Sequence, residues 1–163
     1  MLALRFATAL LIPLAPIVLS GGNQLQAADS FTCPVTKPIE SPSPAPFSSA
    51  SGKWFGTDKL WTRIEPGRWG ASQHTDLGFR QPKIVWFSSG HDSPQESLSS
   101  LTITGRRLDG PSAPLIFLDA NNAFIPGKGS FITSAVTLPT LGCWEITGHY
   151  KDQDLTFVVK IGP

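Results

Sequence analysis

The chain has 163 residues, of which 40% are hydrophobic and 15% charged, and its formal net charge is +1. The basic residues are scattered, and Arg106-Arg107 is their largest cluster. This argues against a nucleic-acid or acidic-membrane partner, because such partners require a basic stripe. The length fits one domain with a single core.

The first 28 residues have the composition of a secretory signal peptide. Arg5 is followed by an apolar run over 6–19, and small residues ending in Ala27-Ala28 offer a cleavage site. An uncleaved anchor is the weaker alternative, because the run is shorter than the ~20 residues that span a bilayer and is interrupted by prolines. We therefore predict a secreted or periplasmic chain without stable membrane insertion. Cleavage of the signal peptide would remove Arg5 and leave 12 basic and 12 acidic residues.

Residues 29–52 are predicted to form an arm that carries Cys33 and becomes rich in Pro and Ser from residue 38 onward. Cys33 and Cys143 are the two cysteines of the chain. A pair of cysteines in an exported protein favours a disulfide, which could contribute about 4–5 kcal/mol in the chain-entropy model. Such a bond would tie the arm across the outer side of the strand that contains Cys143.

Between residues 53 and 138 the sequence predicts short strands separated by turns, because β-branched and aromatic residues alternate with polar ones. The predicted strands cover 53–64 around a turn at 56–58, then 83–87, 98–107, 114–118 and 130–138. The segment 71–82 is predicted to be a polar loop, and Asp119-Ala-Asn-Asn122 a turn. No stretch of ten or more residues has helical periodicity in the mature chain.

The last stretch, 143–161, has the pattern of an antiparallel hairpin with a polar turn at 151–154. One predicted face carries Trp144, Ile146, Gly148 and Tyr150 from the first strand, and Leu155, Phe157, Val159 and Ile161 from the second. A hairpin cannot bury such a face alone, so other strands must cover it. The fold prediction is an all-β, immunoglobulin-like β-sandwich of seven or eight strands over 53–163.

Three motifs carry a resemblance to a known group of proteins. They are Trp54-Phe-Gly with Leu60-Trp61, Leu101-Thr-Ile-Thr-Gly-Arg-Arg-Leu-Asp109, and Leu138-Pro-Thr-Leu-Gly-Cys-Trp-Glu-Ile-Thr-Gly148. With these motifs the chain resembles uncharacterised secreted bacterial single-domain proteins that have an immunoglobulin-like sandwich. The likeness covers 33–161 and implies the fold and export. It implies no catalytic residues, because the group has no assigned activity.

Polar residues with possible chemistry occur in two loop pairs, His74 with Asp76 and His91 with Asp92. Neither has the spacing of a metal site, and the serines near His91 lack a nucleophile-elbow motif. Arg106 and Arg107 should point to opposite faces, so only one of them can meet Asp109 in a surface salt bridge. Glu145 is expected to form a cross-strand ion pair, with Lys160 or an arginine of the arm as its partner.

The five tryptophans are many for this length. Exposed tryptophans on a β-sandwich can stack on sugar rings, while small β domains ordinarily bury theirs. The possible stacking residues are Trp69, in a Pro-Gly-Arg-Trp-Gly turn, and Trp54 and Trp61.

These observations predict an exported non-catalytic module for protein interaction, adhesion or envelope scaffolding that acts through a free strand edge. The partner would be an unknown protein or a cell-envelope glycan, with no cofactor and no metal. The alternative is a carbohydrate-binding module that uses exposed tryptophans. A small hydrolase or a metal-binding protein built on the two histidine loops is a remote alternative.

Overall fold

The computed structural model describes residues 31–39, 53–64, 73–96 and 99–162. This part of the chain contains nine strands and no helix, and therefore no helix that could cross a membrane. The strands are β1 (Lys53–Gly56), β2 (Leu60–Ile64), β3 (Gln73–Thr75), β4 (Gly78–Ser88), β5 (Thr102–Arg107), β6 (Ile116–Ile125), β7 (Gly129–Leu138), β8 (Gly142–Tyr150) and β9 (Gln153–Ile161). The predicted signal peptide, 1–28, and the Pro/Ser-rich segment 40–52 lie outside the described residues.

The strands form two antiparallel sheets, which confirms the all-β prediction. The larger sheet has the order β1-β2-β4-β7-β6, with the short β3 paired to β4. The smaller sheet has the order β5-β8-β9. The chain crosses from the larger sheet to the smaller one after β4, returns after β5, and crosses again after β7.

The core lies between the sheets, where residues from both form one hydrophobic cluster. The Trp86 ring of β4 lies against Gly148 of β8, where an added Cβ would overlap the ring. Phe157 of β9 packs 6.3 Å from the Trp86 ring and 5.2 Å from the Phe55 ring. Trp86 is fully buried, and its Nε1 donates to Ser134 Oγ at 2.9 Å. The indole N–H of Trp86 therefore has a hydrogen-bond partner although the ring is buried.

The terminal hairpin is confirmed, with a turn shorter than predicted. Tyr150 pairs with Gln153, so the connection is the two residues Lys151-Asp152. The predicted faces are correct, because all eight residues assigned to the inner face are buried. Gly148 fits this pattern because only a residue without a side chain leaves room for Trp86.

Two of the predicted connections are wrong, because the structure has strands there. β3 and the start of β4 occupy most of 71–82, and the register of β4 against β7 shifts between Gln81 and Ile84. Pro82 falls within that irregularity, where a residue without a backbone N–H is tolerated. The predicted turn at 119–122 is the middle of β6, which runs without a break from Ile116 to Ile125. Its polar residues lie on an edge strand, so they need no turn to reach solvent.

The predicted disulfide is confirmed between Cys33 and Cys143, with Cα atoms 5.7 Å apart. Cys143 lies on the face of β8 opposite Trp144, as the alternation predicted, and is 1% exposed. From Cys33 the arm continues beside β9, where the Thr36 N–H donates to Val158 O at 2.9 Å and the Val158 N–H to Thr36 Oγ1 at 2.8 Å. Ile39 then bridges to Trp54 of β1.

The arm should detach when the disulfide is removed. The bond spans 110 residues, so we expect the Cys33→Ala/Cys143→Ala variant to unfold with about 4 kcal/mol less free energy than the wild type. Denaturant unfolding measures the difference. Thr36→Val, which removes the hydroxyl acceptor and keeps the disulfide, is the control and should cost about 1 kcal/mol. An unchanged unfolding midpoint in the double variant would refute the role given to the bond.

Candidate functional site

The short β3 aside, the described strands give the two sheets four outer edges, and three of these carry backbone hydrogen bonds from segments outside the strands. The arm covers β9 through Thr36, and it covers β1 through the Ile39 N–H, which donates to Trp54 O at 2.8 Å. The edge of β5 receives the Leu115 N–H, which donates to Gly105 O at 3.1 Å. Because unpaired edge groups invite pairing with other chains, these contacts leave fewer groups on the three edges available for association.

The fourth edge, β6, is the longest of the four and has no strand beside it in the part of the chain that the structure describes. Its sequence, Ile-Phe-Leu-Asp-Ala-Asn-Asn-Ala-Phe-Ile, contains no lysine, arginine or proline. Lysine and proline at an edge discourage strand addition, as other charged residues and bulges do. The one charged residue of β6 is Asp119. One irregularity occurs where its register against β7 shifts between Phe117 and Asp119, so that Leu118 is a bulge residue.

Large apolar side chains are exposed along β6. Phe124 is 55% exposed, and Leu118 and Ile125 are each 40% exposed. Half of the six large hydrophobic residues that are exposed in the described part of the chain therefore lie on this strand. They are spread along the strand, with Leu118 near one end and Phe124 and Ile125 at the other. Exposed apolar side chains along an edge are a feature of interaction sites.

A groove of about 470 Å³ crosses the outer face of the larger sheet and reaches β6. Apolar residues from β4, β6 and β7 form part of its lining, and basic residues line it as well. None of the described residues that line it is acidic. The described residues that line it are Arg63, Lys83, Val85, Ala123, Ile125, Lys128, Phe131 and Thr133. The face beside the open edge is therefore amphipathic and basic.

A buried polar cluster lies where the loop after β4 meets the β8–β9 turn. Tyr150 Oη donates to the Glu96 carboxylate at 2.8 and 2.9 Å, and His91 Nδ1 lies 3.0 Å from Tyr150 Oη and 3.3 Å from Glu96 Oε2. Lys151 Nζ donates to Glu96 Oε1 at 2.7 Å and to Gly90 O at 2.9 Å. Lys151 has a φ of 54°, a left-handed conformation that non-glycine residues seldom adopt. The hydrogen bonds of the Lys151 side chain help to offset the cost of this backbone conformation.

The protonation of this cluster suits a structural role. Burial by itself would raise the pKa of Glu96, but the hydrogen bonds from Lys151 and Tyr150 lower it to about 2. Burial and the bond to Glu96 raise the pKa of Tyr150. Acid–base catalysts work best with a pKa near the working pH, and both groups are shifted away from neutrality. The His91 side chain is also 0% exposed, so a substrate could not reach it.

The same loop connects the polar cluster to β6. The Asn122 side chain donates to Glu96 O at 2.6 Å, and Ser93 Oγ donates to Ala123 O at 2.8 Å. The Ser93 N–H donates to Ser130 Oγ at 3.0 Å. The loop thus holds the β6–β7 hairpin to the β8–β9 hairpin, which fixes the open edge on a rigid support.

The two histidine pairs do not form one site. His74 lies in β3, is exposed, and packs edge-on against Phe79 at 5.1 Å. His91 points into the core toward Tyr150, while Asp92 is exposed and accepts the backbone N–H groups of Gln95 and Glu96. Among the described residues no three His, Cys, Asp or Glu side chains converge as metal ligands would.

Of the three tryptophans predicted to stack on sugars, the two that the structure describes differ in exposure. Trp54 is 5% exposed, so its ring has no free face for a sugar. Trp61 is half-buried, with its ring against Gly56 and 5.5 Å from the Phe87 ring. Trp69 lies outside the described residues. Of the three, Trp61 is thus the one that the structure places at the surface.

The charged pairs around β8 are surface salt bridges. Arg107 Nε donates to Asp109 Oδ1 at 2.6 Å, and this bond lowers the pKa of Asp109. Glu145 is paired with Arg106 of the neighbouring β5 at 2.7 Å, and not with Lys160. The expectation that one arginine meets Asp109 is confirmed. For Glu145 the cross-strand pair is present but both expected partners are wrong, because Arg106 lies in β5 and the arm contains no arginine.

Sequence reasoning missed both the open edge and the polar cluster. The edge was missed because Asp119-Ala-Asn-Asn122 has the composition of a turn. The absence of lysine, arginine and proline over 116–125 could have indicated a strand with little protection at its edge. The cluster joins residues that are 54 and 59 positions apart, and no local pattern indicates such a contact.

No protein-family model, curated protein or solved structure matches this chain.

The polar cluster makes a prediction for stability at acid pH. Because the pKa of Glu96 is depressed in the folded state, its carboxylate contributes stability above pH 4.5, which is lost as the pH falls toward 2. We expect Glu96→Gln to lower the free energy of unfolding at pH 7 by about 1–3 kcal/mol and to flatten its decline between pH 4.5 and 2. Denaturant unfolding across this pH range checks both effects.

Glu145→Gln is the matched control for this measurement, because it removes a carboxylate whose arginine partner is exposed. We expect it to change stability by less than about 1 kcal/mol. Equal losses in the two variants at pH 7 would contradict the structural role of the buried cluster.

Proposed function

We propose that the chain is an exported, non-catalytic immunoglobulin-like module that binds an extended strand of an exported polypeptide along the edge of β6. In this mode the partner adds one strand to the larger sheet and its backbone pairs with β6. The exposed side chains of β6 and the adjoining groove would contact its side chains.

The immunoglobulin-like assignment is supported by the order of the strands. The constant-type fold has strands A-B-E-D in one sheet and C-F-G in the other. Naming β2, β4, β5, β6, β7, β8 and β9 as A to G in chain order gives those same two sheets. β1 and β3 are additional strands in this comparison. The disulfide departs from the usual bridge between strands B and F, because Cys33 lies in the arm.

Export is supported by the disulfide, which fits an extracellular or periplasmic location. The apolar N-terminal sequence agrees with it. The extracellular setting also makes edge protection important, since an exported domain meets other unfolded and folded chains. Covering three edges and leaving one open is therefore consistent with selective strand addition.

The observation that carries the proposal is the contrast between β6 and the other outer edges. β9, β1 and β5 each accept a backbone N–H from a covering segment. On β6, within the described residues, the contacts from outside the hairpin come from the loop through the side chains of Ser93 and Asn122. A strand of ten residues can offer several main-chain hydrogen bonds to a partner, which is the source of affinity in strand addition.

Blocking the edge should abolish capture of the partner. Mature wild-type protein and the Phe124→Lys variant would be used to retrieve proteins from the envelope of the parent cell. We expect the charge to remove a specific partner, because an edge lysine opposes strand addition. Phe124 is 55% exposed, so the variant should fold normally.

Leu77→Lys is the matched control, because Leu77 is 63% exposed and lies in the β3–β4 turn, away from β6. It should retrieve the same partner as the wild type. Retrieval of identical proteins by wild type and Phe124→Lys would refute the role of the β6 edge.

A second candidate function is glycan binding on the outer face of the larger sheet. Trp61 favours it, because its ring lies over Gly56 and beside Phe87, which is the arrangement of an aromatic platform. Flat aromatic rings on a sheet can stack against sugars through their apolar faces. The groove begins next to this platform, with Arg63 two residues from Trp61.

Glycan binding would depend on the Trp61 ring. If Trp61 is the platform, Trp61→Ala should weaken retention on cell-wall polysaccharide by roughly two- to tenfold, which corresponds to loss of one aromatic contact. Trp61→Phe, which keeps a flat ring, should retain most of the binding. Trp69→Ala would be measured beside them. Undiminished retention of Trp61→Ala would exclude Trp61 as the platform.

A further inference from the structure

We propose that the strand added to β6 is the β6 of a second copy of this chain, paired antiparallel about a twofold axis at Asn121. This inference rests on the proposed strand addition and identifies the partner. Symmetric dimers use one surface twice, so the surface must complement itself after a half-turn. The sequence and register of β6 meet that condition.

The strand has nearly the same pattern in both directions. It begins with Ile116-Phe117 and ends with Phe124-Ile125, and its centre is the polar segment 119–122. When a second copy runs antiparallel beside it, apolar ends meet apolar ends and the polar centres meet each other. An arbitrary extended peptide would not match this pattern. A second β6 matches it because the pattern is nearly the same when the strand direction is reversed.

The bulge at Leu118 brings the apolar ends onto matching faces. Side chains that are opposite each other in neighbouring strands lie on the same face of a sheet. Phe117 pairs with Val136 and Phe124 with Ser130, both even-numbered residues of β7 on the core side. Ile116 and Ile125 pair with odd-numbered residues, so both lie on the groove side. Without the bulge at Leu118, the side chains of Phe117 and Phe124 would lie on opposite faces of the sheet.

A twofold axis at Asn121 then gives one consistent register. In it Asn121 faces Asn121 of the other copy, Ala120 faces Asn122, and Asp119 faces Ala123. Beyond the bulge residue, Phe117 faces Phe124 and Ile116 faces Ile125. Phe124 and Ile125, which are 55% and 40% exposed in one chain, gain apolar neighbours.

The charges on the edge also permit this register. Asp119 is the one charged residue of β6, and it faces an alanine and not the aspartate of the other copy. Like charges directly opposite each other would destabilise the pair. Ser93 and Glu96 contact β6 through Ala123 and Asn122.

Two measurements test the inference. Sedimentation of the mature wild-type chain over a range of concentrations should show a reversible dimer. Asn121→Lys, which places two like charges at the axis, should remain a monomer at concentrations at which the wild type is dimeric. Circular dichroism would establish that the variant is folded, as the exposure of Asn121 leads us to expect.

Cross-linking tests the register independently. The thiols of Asn121→Cys face each other across the axis and should form a disulfide-linked dimer under mild oxidation. Ala123→Cys is the control, because its two copies would lie about 13 Å apart along the strands, four residues at ~3.3 Å each. It should not cross-link, since a disulfide needs Cα atoms within about 7 Å.

The outcomes separate this inference from the proposed function. A wild-type chain that is monomeric at all concentrations overturns the inference. In that case the proposed function stands if the wild type retrieves an envelope protein of different sequence and Phe124→Lys does not. The proposed pairing is wrong if Asn121→Lys is still a dimer. It is also wrong if Ala123→Cys forms the cross-link and Asn121→Cys does not. Loss of the dimer in Asn121→Lys, with cross-linking through Asn121→Cys alone, supports it.

Discussion

The arm, which the Cys33–Cys143 disulfide and the hydrogen bonds between Thr36 and Val158 hold against β9, determines which edges of the two sheets are occupied. It converts the last strand of the chain from an exposed edge into a covered one. From there the arm reaches β1 through Ile39 and covers a second edge. Because backbone groups at a sheet edge can pair with an extended chain, the arm leaves β6 as the long edge without a covering segment among the described residues.

The interior of the domain supports the open edge. Trp86 and Gly148 set the contact between the sheets, and Phe157 fills the space beside them. At one end, Glu96 and Tyr150 join the loop after β4 to the last hairpin, and the same loop holds β6 through Asn122. The edge is therefore presented by a packed framework with little freedom to adapt, which favours a partner of matching shape.

Much of the fold could be predicted from the sequence because its strands alternate clearly. The terminal hairpin has one buried face over nine residues in each strand, and its two faces were predicted correctly. The disulfide followed from the number of cysteines and the N-terminal sequence. β6 could not be predicted in this way, because an edge strand exposes polar residues on both faces and so lacks a clean alternation. The partners of His91 and Glu96 depend on tertiary contacts that the local sequence does not encode.

The most direct test of the account is residue-resolved amide hydrogen exchange of the mature chain in dilute solution. We predict slow exchange for the Val158 amide, which Thr36 covers, and fast exchange for the β6 amides that point away from β7. Those β6 amides should gain protection as the protein concentration rises. Protection of the same amides at every concentration would mean that the chain itself covers β6, which would contradict the central claim that this edge is open to a partner.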